Sequence, residues 1–273
     1  MEMASARLCL PRRFCGPPGA ANGGFAAGSL AALLGDDAIE VTLRRPVPLE
    51  RPLEVRHDGD GTLLLEDDGC LLAQAGPSAT EVELTAPDIP TPEEARAAAG
   101  RAAYYDEPVF PDCFVCGPAR GPGDGLRIFP GPVSGRSVWV APWTPDRSAG
   151  GPDGRVWNEM VWAALDCPGG LAAVEAAAVP ADTAALLGQM TARLAVRPRI
   201  GTEYQVIAWL LRRDGRKLTA RSALLGPDGE VLAAATALWV TVARGALTSR
   251  LRQVRGTDSR PGTAMRKTAG GSV

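Results

Sequence analysis

Asn22-Gly23-Gly24 stands at the head of a run, Phe25 to Leu34, that is apolar on nearly every side. The first amides of a helix lack intrahelical acceptors, point outward and attract negative charge. Two glycines there let another group come close to the backbone. A carbonyl oxygen set against such a helix start finds donors for the charge it gains in a tetrahedral intermediate. The same residues also make an ordinary helix start, because Asn is a good N-cap. The second reactive candidate is Asp166, which follows Val161-Trp162-Ala163-Ala164-Leu165. A carboxylate on so apolar a helix is costly to bury unless it is hydrogen-bonded, so it needs a partner or a task. Its structural alternative is a helix stop or kink at Asp166-Cys167-Pro168-Gly169-Gly170.

Other chemistry is poorly supported. Cys113 and Cys116 form a Cys-x-x-Cys, but a zinc site needs about four ligands, and no second pair or nearby His accompanies them. No metal is expected there; two packed thiols are. No cofactor is expected either. The one histidine, His57, precedes the turn pair Asp58-Gly59. The glycines of Gly117 to Gly125 have neither P-loop nor Rossmann spacing. A net charge of -2 gives no general attraction to nucleic acid or anionic membranes. No run of about 18 apolar residues and no apolar leader is present, so a cytoplasmic protein with reduced thiols is expected.

The elements that must position Asn22 and Asp166 occur twice in one order. A helix candidate at 22–34 precedes strand-like segments at 39–44, 53–57, 62–65 and 70–75. A second, from Trp157 to about Glu175, precedes segments at 191–196, 204–211, 218–225 and 231–242. Asp-Gly pairs separate several of these, a strong hairpin signal because glycine accepts positive φ. Each half therefore reads as a buried helix followed by an antiparallel meander. The expected division is an N-terminal half at 1–85, a linker at 86–107, a C-terminal half at 108–243 and a disordered basic tail at 244–273. The linker should hold a short helix, because Thr91-Pro92-Glu93-Glu94 is a capping-box start. The tail carries seven Arg or Lys against one Asp and reads as a solvated terminus.

With these residues in view, the chain resembles the hot-dog-fold thioesterases and dehydratases. Asn22-Gly23-Gly24-Phe25-Ala26-Ala27-Gly28 resembles that family's His-Gly-Gly or Asn-Gly-Gly helix start. Cys113-Phe114-Val115-Cys116-Gly117 with Asp124-Gly125-Leu126 resembles the opening of many of its thioesterases, and Val161 to Asp166 ends in the acid they use. The resemblance covers roughly residues 5–85 and 108–243. It implies an α+β double hot-dog: two antiparallel sheets, each wrapped around a central helix, arranged as an intramolecular pseudo-dimer that can associate further. It also implies an acyl-CoA or other acyl thioester as partner, and hydrolysis with Asp166 as general base or nucleophile and Asn22, Gly23 and Gly24 as the oxyanion element. Substrate contacts would fall to Trp157 or Trp162, lining an acyl tunnel, and to Gln189 and Thr191. The latter lie near the strand where double hot-dog enzymes carry a hydroxyl and a glutamine.

The halves are complementary in what they lack. In the family the acid follows the first motif residue by nine. Nine after Asn22 stands Ala31, and nine before Asp166 stands Trp157, without a glycine pair. One complete and one degenerate site are expected. Ala234 to Leu238 holds no glutamine, which keeps open a non-catalytic acyl-CoA- or lipid-binding protein. A dehydratase would need a His beside an acid, and His57 is poorly placed for it. An interaction protein acting through its basic tail is the fourth reading.

Overall fold

The structure is a computed structural model, and it describes residues 6–35 and 38–247. The first helix, α1 (Gly23–Ala31), is buried along most of its length, as its apolar composition demands. Strand β1 (Ala6–Cys9) precedes it. After it come β2 (Ala38–Leu43), β3 (Pro52–His57), β4 (Leu63–Asp67) and β5 (Cys70–Pro77). The short helix α2 (Pro92–Ala98) follows, with Thr91 accepting from the Glu94 amide and Glu94 returning the bond, the capping box its sequence calls for. Then come β6 (Gly131–Pro132), β7 (Trp139–Trp143), the long helix α3 (Asn158–Ala176), β8 (Thr183–Leu194), β9 (Tyr204–Asp214), β10 (Lys217–Leu225) and β11 (Val231–Ala243).

Among the described residues these strands form one sheet, in the order β1-β3-β4-β5-β2-β8-β11-β10-β9-β7-β6. The two sheets expected of the halves are therefore continuous. They join where β2 runs antiparallel to β8, with Ala38 opposite Arg193 and Thr42 opposite Gln189. Read outward from that seam, the order β2-β5-β4-β3-β1 is repeated by β8-β11-β10-β9-β7. A single core cluster includes Val55 and Leu65 on one side and Leu218 and Trp239 on the other. No helix of the described residues is long and apolar enough to cross a membrane.

The two helices meet through glycine. A Cβ on Gly28 would lie 2.6 Å from the Trp162 Cβ and 2.8 Å from the Glu159 Cα. No side chain fits between the helices there. Helix α3 does not stop at Pro168 but runs through it to Ala176. Pro168 removes the amide that would donate to the Ala164 carbonyl; the buried Ser222 hydroxyl donates to the next carbonyl, that of Leu165, at 2.7 Å. Gly170 makes room for the Trp239 ring, which a Cβ would approach to 2.6 Å.

Two expectations are amended, and one strand was missed. Strand β8 begins at Thr183 rather than near Thr191. Its Ala-Ala-Leu-Leu-Gly start has little β-propensity of its own, and pairing with β11 holds it. Strand β7 was not legible as a strand at all. The fold also continues beyond 243: residues 244–247 are helical, and Leu247 packs at 5% exposure in a cluster with Ala184. The rest of the expected tail lies outside the described residues.

Candidate active site

Asn22 caps α1, its Oδ1 accepting from the Phe25 amide at 2.9 Å. That bond fixes the orientation of the side-chain amide, so Nδ2 must face the other way. It donates to Asp166 Oδ2 at 3.1 Å. The Gly24 amide donates to the same oxygen at 2.8 Å. Two residues 144 positions apart are thus in direct contact, and both are buried, Asn22 at 3% and Asp166 at 2% exposure. The second carboxylate oxygen, Oδ1, is buried without a hydrogen-bond partner. Burial pushes the Asp166 carboxyl up to about 7, against the Gly24 amide and the Asn22 side chain, which favour the charged form.

The glycine pair divides its duties. Gly24 is needed because a Cβ there would sit 2.4 Å from the Asp166 Cβ, and its amide is taken by the carboxylate. Among the described residues the Gly23 amide has no hydrogen-bond acceptor. Gly23 lines a cavity of about 650 Å³, shared with Asn22 and Asp166. Apolar side chains supply most of its wall, among them Leu43, Leu171, Val174 and Leu187. Arg44 and Arg45, both exposed, belong to the same wall.

The expected substrate contacts stand elsewhere. Trp157 is 39% exposed at the start of α3, and Trp162 is packed against Gly28; neither lines the cavity. Gln189 donates to Glu40 at 2.8 Å and to Thr42 at 3.1 Å, and Thr191 lies 3.4 Å from Glu40. Strand alternation explains this placement: Met190 and Ala192 face the core, so Gln189 and Thr191 face the other side of the sheet. Reading the residue type without its parity misplaced them.

One neighbour of Asp166 was not found from sequence. Cys167 brings its thiol to those of Cys113 and Cys116, and the three sulfurs lie within 4.8 Å of one another. Cys113 Sγ and Cys167 Sγ are 3.6 Å apart. All three are buried and border the cavity. Phe114 orients their turn by packing edge-on against Phe14 at 4.9 Å, which itself stacks on Phe25 of α1. Hydrogen bonds from Cys116 and Cys167 hold the Cys113 thiol well below its ordinary value, and Cys113 raises both of those thiols. The Cys-x-x-Cys was visible in sequence; its third member, 51 residues on from Cys116, needed the helix to be placed.

No family model matches the chain, and no curated protein matches its sequence. Solved structures do. The acyl-CoA thioesterase II TesB2 of Mycobacterium marinum is 14% identical with a TM-score of 0.55, over 89% of this chain and 94% of that one. The tesB protein of Mycobacterium avium subs paratuberculosis is 14% identical with a TM-score of 0.54, over 86% and 91%. A conserved protein of unknown function with a hot-dog fold, from Alicyclobacillus acidocaldarius, is 13% identical with a TM-score of 0.50, over 88% and 92%. The chain has the hot-dog fold.

Proposed function

We propose that the chain is a double hot-dog protein, an intramolecular pseudo-dimer that hydrolyses acyl-CoA thioesters at one composite site between its halves. The observation that carries this reading is the Asp166 carboxylate. It is held through Oδ2 by Asn22 and Gly24 of the other half, keeps Oδ1 free, and borders an apolar cavity beside the unpartnered Gly23 amide. The acyl chain occupies the cavity, and the thioester oxygen accepts from Gly23 at the positive end of α1. Asp166 takes a proton from water as the water oxygen adds to the carbonyl carbon. Collapse of the intermediate breaks the carbon–sulfur bond. The thiolate leaves as CoA-SH with the proton that Asp166 received, and the acyl group leaves as the acid. Arg44 and Arg45 suit the phosphates of CoA. The names of the similar structures point the same way.

A second reading, acyl-CoA binding without turnover, is favoured by a specific observation. Gly24, half of the expected oxyanion element, is occupied by Asp166 itself. The experiment that separates the two is steady-state hydrolysis across short, long and aromatic acyl-CoAs, alongside equilibrium binding of the same panel. Turnover that tracks binding supports the enzyme. Tight binding without turnover leaves the binding protein, and neither would remove the acyl-CoA reading.

A further inference from the structure

We propose that Cys113, Cys116 and Cys167 bind one zinc ion, with the fourth coordination position open to the cavity. The geometry is that of a ligand set. Thiolates bound to zinc at about 2.3 Å in a tetrahedron stand about 3.8 Å apart. Cys113 and Cys167 are 3.6 Å apart, and Cys116 completes a triangle no edge of which exceeds 4.8 Å. Two of the ligands come from one tight turn, where Gly117 is packed so closely that a Cβ would meet the Cys113 backbone at 2.5 Å. The third comes from α3. The ion would therefore tie the turn to the helix that carries Asp166.

Two further observations point to an occupant. The Asn22 amide, its orientation fixed by Phe25, presents Nδ2 at 3.5 Å from Cys167 Sγ and 3.8 Å from Cys113 Sγ. A neutral thiol is a weak acceptor, whereas a metal-bound thiolate is a good one, and such outer donors are a regular part of thiolate sites. The buried Asp166 Oδ1, beside Cys167 in the chain, has no partner. A water in the open position is a donor for it. Three sulfur ligands select zinc over hard oxygen-seeking cations. Three protein ligands and an open position facing a cavity are the pattern of a zinc that works on a water rather than one that only braces a fold. The ion would supply a Lewis acid that lowers the pKa of that water.

The inference stands apart from the choice of substrate, and its test reads metal rather than turnover. Full-length protein is purified with a phosphine reductant and no chelator, and its zinc is measured by elemental analysis. Metal-free protein is then loaded with cobalt(II). One equivalent of zinc, and a near-ultraviolet thiolate-to-cobalt charge-transfer band that Cys167→Ser weakens, are expected. A Cys9→Ser/Cys70→Ser double variant should keep both. If Cys167→Ser fails to fold, zinc protection of the wild-type thiols against alkylation, mapped by mass spectrometry, decides the question: Cys113, Cys116 and Cys167 should be shielded together. Sub-stoichiometric zinc with no charge-transfer band would overturn the site. So would a band unaffected by a folded Cys167→Ser, or a Cys113–Cys167 disulfide that forms equally fast with and without zinc.

Discussion

Gly24 and Asp166 are joined twice: the amide donates to Oδ2 at 2.8 Å, and the backbone is so near that a Cβ on Gly24 would lie 2.4 Å from the Asp166 Cβ. The glycine thus serves the carboxylate directly. A larger residue would push it from the cavity wall and strip it of a donor that an anion inside protein needs.

Asp166→Asn should leave the fold in place, because its side-chain carbonyl can still accept from Gly24, yet remove the proton acceptor. A fall in kcat of about a hundredfold or more is expected, with KM little changed. A variant that melts normally and turns over acyl-CoA at the wild-type rate would make Asp166 a structural partner of Asn22 and nothing more.

Gly28→Ala should destabilise the protein by about 1–3 kcal/mol, since the added carbon must push apart two packed helices. The urea midpoint should drop with an unchanged slope. An unaltered midpoint would mean that α1 and α3 are farther apart than described.

Leu171 faces the cavity from α3. Leu171→Trp should shorten the longest acyl chain accepted, raising KM for long acyl-CoAs and sparing acetyl-CoA. Equal effects on both would place the acyl chain elsewhere.

Arg45 is exposed on the cavity wall, and Arg45→Ala should raise KM for acyl-CoA by about two- to fivefold. The effect should shrink at high salt and vanish for acyl-pantetheine, which lacks the nucleotide phosphates. A loss shared by both thioesters would argue against a phosphate contact.

Much of this arrangement was legible. The hairpins from β3 to β5 and from β9 to β11 are marked by Asp-Gly turns, and both helices by their apolar runs. The expectation that Asn22 and Asp166 share a site came from the resemblance, whose nine-residue spacing is broken at Ala31 and at Trp157. What failed was parity and partnership. Gln189 and Thr191 have suitable chemistry but face away from the core, and a register of one residue decides that. Cys167 stood next to a residue singled out for attention, yet only the turn of α3 shows that it meets Cys113. Pro168 read as a stop or kink because proline leaves the Ala164 carbonyl without its helical donor; α3 runs through it all the same.

The β2–β8 seam also governs the order of events during synthesis. Strand β2 ends up in the middle of the sheet, but the partner of Ala38 is Arg193. At roughly 5–20 residues per second, a ribosome takes about 10–30 s to deliver it. Throughout that interval the nascent N-terminal portion carries an unpaired strand edge, the kind of surface that recruits other chains. Growth of the second portion is then a race between the strand in its own sequence and any foreign strand that arrives first, and the protein's yield in cells should depend on what shields β2 in the meantime.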